Sequence, residues 1–104
     1  MTHQEHQTLK QLAGLYLNHG RLNEALTLLQ ALRVMKTDAA VDLALAYVLL
    51  LQKDYQGALA PATRAATQYP GRAALLKARA LWGLQQIQES RQAMSLFLQG
   101  AEHA

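Results

Sequence analysis

The stretch Gly20-Arg21-Leu22-Asn23-Glu24-Ala25-Leu26 decides the fold, because it returns in altered form at residues 53–59 and 85–91. Each copy begins with a turn, continues with an apolar residue and has a small residue three positions later. The spacings between copies are 33 and 32 residues, and a fixed period of this size indicates a helical repeat. The preceding segments match as well, and the small residues that they share are Ala13, Ala46 and Ala78.

The composition agrees with helices. The chain has 104 residues, of which 51% are hydrophobic, and it contains 21 Leu and 19 Ala but only 2 Pro and 6 Gly. Leucine and alanine favour helix, whereas strands prefer β-branched and aromatic residues. We therefore expect an all-α single domain over residues 1–104, which is too small for a multidomain enzyme and too apolar for a disordered segment.

The repeating pattern resembles the tetratricopeptide repeat (TPR), a pair of antiparallel helices A and B of about 34 residues. The family's small residue at the start of helix B corresponds to Ala25, Ala58 and Ser90, and its closing proline is present only as Pro70. The resemblance implies three TPR-like helix-turn-helix repeats that form a short right-handed superhelix, an α-solenoid. The implied repeats are residues 6–39, 39–72 and 71–104; the A helices lie near 5–18, 39–52 and 72–84, and the B helices near 22–36, 56–68 and 87–99.

Two prolines bear on the helix boundaries. Pro61 falls within the second B helix, so we expect either that this helix starts late, near Gly57, or that it bends at Pro61. The sequence Tyr69-Pro70-Gly71 is typical of a helix stop and turn.

Metal, redox and cofactor chemistry have little support in the sequence. The chain has no Cys, which excludes disulfides, thiolate metal ligands and thiol catalysis. His3 and His6 share a helical face, but two ligands without a third make a poor metal site, and we interpret both as polar residues of a frayed terminus. We therefore expect no cofactor and no metal.

The remaining polar side chains do not form a catalytic set. Ser90 and Ser95 lie within a predicted helix and have no neighbouring base. Asp38 and Asp42 are one helical turn apart, and we interpret Asp38 as a helix N-cap and Asp42 as a surface residue. No glycine-rich phosphate loop is present. We therefore expect no enzymatic activity.

Charge and hydropathy exclude two further classes of partner. The net charge is +3 with a pI of about 9.5, but the ten basic residues are scattered from Lys10 to Arg91, which disfavours nucleic acid. The longest apolar run, Leu43–Leu51, is far below the roughly 20 residues of a membrane span. The polar N-terminus lacks a signal-peptide pattern, so we expect a cytoplasmic protein.

The TPR resemblance implies a binding wall on the concave face of the A helices. The second A helix is apolar on every side, and nothing in three repeats obviously covers Leu43, Tyr47, Leu50 and Leu51; the alternative is that the solenoid curls and buries them. We expect Tyr47 and Trp82 to be anchors for a partner. The predicted partner-binding wall residues are Leu17, Leu43, Ala44, Tyr47, Leu50, Leu51, Leu75, Leu76, Arg79 and Trp82. The family analogy implies that Lys10, Gly14 and Asn18 of the first A helix line the wall as well.

In length, repeat number and groove character the chain is similar to the small TPR chaperones of bacterial type III secretion, of the YscY and YscG types. That resemblance implies a non-catalytic chaperone or adaptor that holds a helix of an apparatus component or early export substrate, with or without a co-chaperone. Two alternatives stay open. One is a self-associating scaffold that buries the wall, or the last helix around Met94, Phe97 and Leu98, in a homo-oligomer. The other is a regulatory adaptor unrelated to secretion.

Overall fold

The computed structural model describes residues 2–85 and 87–103, with side chains described over residues 2–85 and 91–99. Within these residues the chain is all helical and contains no strand, which confirms the predicted all-α class. Ser90, placed at the start of the last repeat helix, has its side chain outside the described residues. The helices are α1 (His3–Asn18), α2 (Leu22–Met35), α3 (Ala39–Leu51), α4 (Tyr55–Ala65), α5 (Pro70–Gly83) and α6 (Ile87–His103).

In the described part of the chain, side chains cap three helix N-termini. The Thr2 hydroxyl accepts from the backbone N–H of Glu5 at 3.1 Å at the start of α1. Asp38 caps α3, as predicted, by accepting from the N–H of Ala40 at 2.9 Å. Asp54 caps α4 by accepting from the backbone N–H of Gly57 at 3.0 Å. Each cap satisfies a backbone donor that has no partner within the helix.

The two prolines correct the expected boundaries. Pro61 lies inside α4, which begins at Tyr55 because Asp54 caps it, so the late start near Gly57 is wrong. Pro70 is the first residue of α5 rather than part of a turn. A proline suits this position, because its fixed φ is helical and its missing N–H would have had no helical partner.

The turns between α1 and α2, between α3 and α4, and after α5 contain a residue with the same unusual backbone conformation. Gly20, Lys53 and Gln85 have φ of 73°, 64° and 64°, and they are spaced by 33 and 32 residues. A left-handed residue directly after a helix is the usual way to end it, with the next N–H bonding back to the helix. Two of these bonds are Arg21 N–H to the Tyr16 carbonyl and Asp54 N–H to the Leu49 carbonyl, both 2.8 Å.

Each helix packs on its neighbours along the chain, and α3 also contacts α5. The molecule is elongated, at 40 × 28 × 22 Å. The alanines at the repeating small positions are buried, and a larger side chain there would hold packed helices apart. These alanines, all 1% exposed or less, are Ala13, Ala25, Ala46, Ala58 and Ala78. No helix of the described residues has the length and apolar character needed to cross a bilayer.

Asp42 is buried, and the prediction that it lies on the surface is wrong. Its carboxylate accepts from the Arg64 guanidinium of α4 at 3.1 Å, and Arg33 of α2 lies 3.7 Å away. A carboxylate can leave water at acceptable cost only when such partners replace its hydration. The buried charge therefore links α3 to both flanking helices.

His6 is also buried, at 2% exposure, so it is not a frayed terminal residue as predicted. Its Nε2 lies 3.1 Å from an Asp38 oxygen, which also accepts from the Lys10 ammonium at 2.8 Å. Burial alone would raise the pKa of Asp38, but the hydrogen bonds from Lys10, His6 and the Ala40 N–H outweigh it and lower the pKa to about 2. These contacts fix α1 to the start of α3.

Candidate partner-binding groove

An open groove of about 530 Å³ runs between α3 and α5, and we call it the α3–α5 groove. Its floor is mainly aliphatic, with two tyrosines and two arginines among the lining side chains. Such a surface suits a largely apolar ligand that carries a few polar groups. The lining residues are Leu17, Ala40, Leu43, Ala44, Tyr47, Tyr69, Arg72, Leu75, Leu76 and Arg79.

The groove-lining residues of α3 and of α5 follow the same spacing along each helix. The α3 positions are 40, 43, 44 and 47, and the α5 positions are 72, 75, 76 and 79, so each set follows i, i+3, i+4, i+7. These positions share one face of an α-helix. The groove is therefore a consequence of helical periodicity in two neighbouring helices, with Leu17 of α1 and Tyr69 at its edges.

Seven of the ten predicted wall residues line this groove, three from α3, three from α5 and one from α1. A second cavity of about 440 Å³, which we call the Trp82 cavity, adjoins it and shares Arg79. Leu50 and Trp82 line this second cavity, and Leu51, which is 40% exposed, lies outside both linings. The full lining of the Trp82 cavity is Leu50, Tyr55, Ala78, Arg79, Trp82, Gly83 and Met94.

The expectation that nothing covers Leu50 is wrong. Leu50 is 5% exposed, because it belongs to a buried cluster that α4 and α5 form against α3, with Ala58 and Ala62 from α4 and Leu76 and Ala80 from α5. Leu76 is itself 8% exposed, so both leucines belong mainly to the core and offer a partner little area. The two aromatic residues of the predicted wall remain accessible, Tyr47 at 42% and Trp82 at 61% exposure.

Sequence reasoning placed Lys10 in the lining of the wall and missed Arg72. The Lys10 ammonium is instead bound to Asp38 of the α1–α3 contact, which only the tertiary fold brings within reach. Arg72 and Arg79 are seven residues apart on α5, and both side chains are exposed and line the groove. The helical period that identified Arg79 would have identified Arg72 as well.

Little in the groove is suited to catalysis. Within the described residues, no three His, Asp or Glu side chains lie close enough together to hold a metal ion. The groove lining contains no carboxylate, histidine, serine or threonine. These side chains can contact apolar surface, donate hydrogen bonds from two tyrosines and attract negative charge.

Comparison of the chain with models of known families and with curated proteins finds no match.

Proposed function

We propose that the chain is a non-catalytic protein-binding module whose α3–α5 groove holds a helix of a partner protein. The observation that carries the proposal is the matched i, i+3, i+4, i+7 lining of the two helices, which leaves a mainly apolar trough open to solvent. An amphipathic helix fits such a trough by laying its own i, i+3, i+4, i+7 face into it. Tyr47 and Trp82, both large and accessible, are the anchors.

We propose further that the six helices are three TPR-like repeats in a short right-handed superhelix. The repeated sequence supports this arrangement, and so does the left-handed turn residue that recurs at Gly20, Lys53 and Gln85. Packing restricted mostly to neighbouring helices is typical of solenoids. In this arrangement α1, α3 and α5 are the A helices, and they supply the concave face.

The module acts as a chaperone or adaptor in the cytoplasm, and its client is a component or early substrate of a type III secretion apparatus. The support for this class is the resemblance in length, repeat number and groove character. The activity is stoichiometric: the groove removes an aggregation-prone apolar face from water, at about 25 cal/mol per Å² of apolar area buried. A co-chaperone is compatible with the exposed surfaces that remain.

A self-associating scaffold is the second candidate. Leu96 and Leu98 of α6 are 63% and 54% exposed, and large apolar side chains left in water favour association. Sedimentation of the pure protein separates the two candidates, because a scaffold forms a defined oligomer without a client. A regulatory adaptor would use the groove in the same way as a chaperone and differs only in its client.

Site-specific cross-linking in the native cell tests the groove. A photoreactive amino acid at Tyr47 or Trp82 should cross-link to the same partner, and peptide mapping should locate the link in a helical segment of that partner. Gln30, an exposed residue of α2, is the matched control position and should give no such product. Equal products at Gln30 and Tyr47, or none at Tyr47 and Trp82, would overturn the proposal.

A further inference from the structure

The two arginines of the α3–α5 groove lie on one face of α5. Arg72 and Arg79 are seven residues apart, which is almost two full turns, so their Cα atoms are separated by about 10 Å along the helix. Both side chains are exposed and both line the groove. The groove therefore carries two positive charges at a fixed spacing along its apolar floor.

Neither arginine has a negative partner in the described part of the chain. No described carboxylate lies within 4.0 Å of either guanidinium. On α3 the single acidic residue is Asp42, which is buried and bound to Arg64. The sequence has no Asp or Glu between Asp54 and Glu89. No described side chain therefore competes with a ligand for either charge.

A second copy of the chain is a poor match for this pair of charges. The acidic residues are Glu5, Glu24, Asp38, Asp42, Asp54, Glu89 and Glu102, and no two of them are seven residues apart. A helix of this protein therefore cannot place two carboxylates opposite Arg72 and Arg79 at once. The charge pattern points to a different chain.

We infer that the occupant of the groove is an acidic amphipathic helix with two carboxylates seven residues apart. This inference rests on the proposed function. The carboxylates pair with Arg72 and Arg79, since the planar guanidinium matches a carboxylate in a bidentate contact. Large apolar residues three and four positions after the first carboxylate fill the floor between Tyr47 and Leu75.

Arg79 belongs to the linings of two neighbouring surfaces, and this adds one residue to the pattern expected of the partner helix. Arg79 lines both the α3–α5 groove and the Trp82 cavity, so the two surfaces are continuous at this side chain. Trp82 lies one turn beyond Arg79 and is 61% exposed. The partner helix therefore carries a further apolar residue about one turn beyond the carboxylate that pairs with Arg79, in contact with the indole.

Three synthetic peptides test the inference. They are amphipathic helices of about 18 residues that are identical except at two positions seven apart, where they carry Glu, Gln or Lys. Trp82 is the single tryptophan of the chain, so its fluorescence reports binding. The Glu peptide should bind about tenfold more tightly than the Gln peptide, as expected for two exposed ion pairs, and the Lys peptide should bind most weakly.

Protein variants supply the controls. The double variant Arg72→Gln/Arg79→Gln should lose the preference for Glu, and about 0.5 M NaCl should reduce it in the unmodified protein. The double variant Lys77→Gln/Arg91→Gln changes the net charge equally but alters exposed side chains outside the groove lining, so it should keep the preference. Far-ultraviolet circular dichroism checks that every variant is folded.

The results that would contradict the acidic pattern differ from those that would contradict the proposed function. Equal affinity for the Glu and Gln peptides, or a preference that survives in Arg72→Gln/Arg79→Gln, would overturn the acidic pattern and leave the groove intact. If no peptide binds, the proposed function fails and the inference fails with it. A Trp82 shift produced by phosphatidylserine vesicles and by none of the peptides would identify a lipid surface instead and overturn the inference.

Discussion

The guanidinium of Arg64 contacts the buried carboxylate of Asp42 through two nitrogens, Nε and Nη2, each 3.1 Å from the same oxygen. The two residues are 22 positions apart, so the contact fixes α4 against α3 near the N-terminal end of α3. Asp42 is 3% exposed, whereas Arg64 keeps part of its side chain in water. The buried Asp42 carboxylate therefore needs the guanidinium to replace its lost hydration, whereas the partly exposed Arg64 can also bind water.

Removal of Arg64 should destabilise the fold strongly. Arg64→Met leaves a buried carboxylate with Arg33 alone, at 3.7 Å, and should lower the free energy of unfolding by about 3 kcal/mol. Arg33→Met should cost below about 1 kcal/mol, because this arginine is more exposed and more distant. Asp42→Asn in the Arg64→Met background should recover part of the loss. Urea denaturation of the four proteins measures these differences, and equal losses in the two arginine variants would contradict the assignment.

The Asp38 contacts should make stability depend on pH in the acid range. The pKa of Asp38 is about 2 in the folded chain against an ordinary 3.8, so its contribution is complete above about pH 4 and is lost as the pH falls through about 2. Asp38→Asn keeps an N-cap acceptor but removes the charge, and should cost about 2 kcal/mol at pH 7. The difference from the unmodified protein should narrow at pH 2 to 3. A constant difference from pH 7 to pH 2 in urea denaturation would show that the charge contributes nothing.

The recurring turn predicts two stabilising substitutions. Lys53 and Gln85 adopt a left-handed conformation that costs a residue with a Cβ about 1 kcal/mol, whereas Gly20 meets the same requirement without strain. Lys53→Gly and Gln85→Gly should therefore each raise Tm by about 4 °C. Gln30→Gly, in the exposed interior of α2, should lower Tm instead. Calorimetry gives the three values, and a lower Tm for both turn variants would refute this account of the turns.

Tyr47 and Leu50, which lie about one helical turn apart in the predicted wall, differ in burial and should respond differently to the same substitution. Leu50→Glu places a carboxylate in the contact between α3 and α5 and should cost about 4 kcal/mol or more, enough to unfold a marginal domain. Tyr47→Glu, at an exposed position, should change stability by less than about 1 kcal/mol. Thermal denaturation by circular dichroism compares them, and a stable, helical Leu50→Glu protein would mean that the core has been misassigned.

The repeat period predicted the helices because small residues such as Ala25 and Ala58 are required wherever helices cross closely, and such a requirement is visible in a single sequence. The groove followed from the same period, since Leu43, Tyr47 and Arg79 occupy helical positions that face one side. Periodicity therefore carried both the secondary structure and most of the groove lining.

The incorrect sequence predictions for Asp42, His6 and Leu50 have a common physical cause. Asp42 looked exposed because aspartate usually is, and its partner Arg64 lies in another helix. His6 looked like a terminal polar residue until the fold brought Asp38 to it. Leu50 looked uncovered because the covering residues of α5, Leu76 and Ala80, come 26 and 30 positions later in the chain. In each case burial depends on a tertiary contact that local sequence does not encode.

The most direct test of the central claim is a nuclear magnetic resonance titration of isotopically labelled protein with the Glu peptide. The amide signals of residues 40–47 and 72–79 and the indole signal of Trp82 should shift most, because the peptide helix lies between α3 and α5. Signals of α2 around Gln30 should stay in place. Shifts concentrated on α2 or on the outer side of α1, with the groove signals unchanged, would contradict the account.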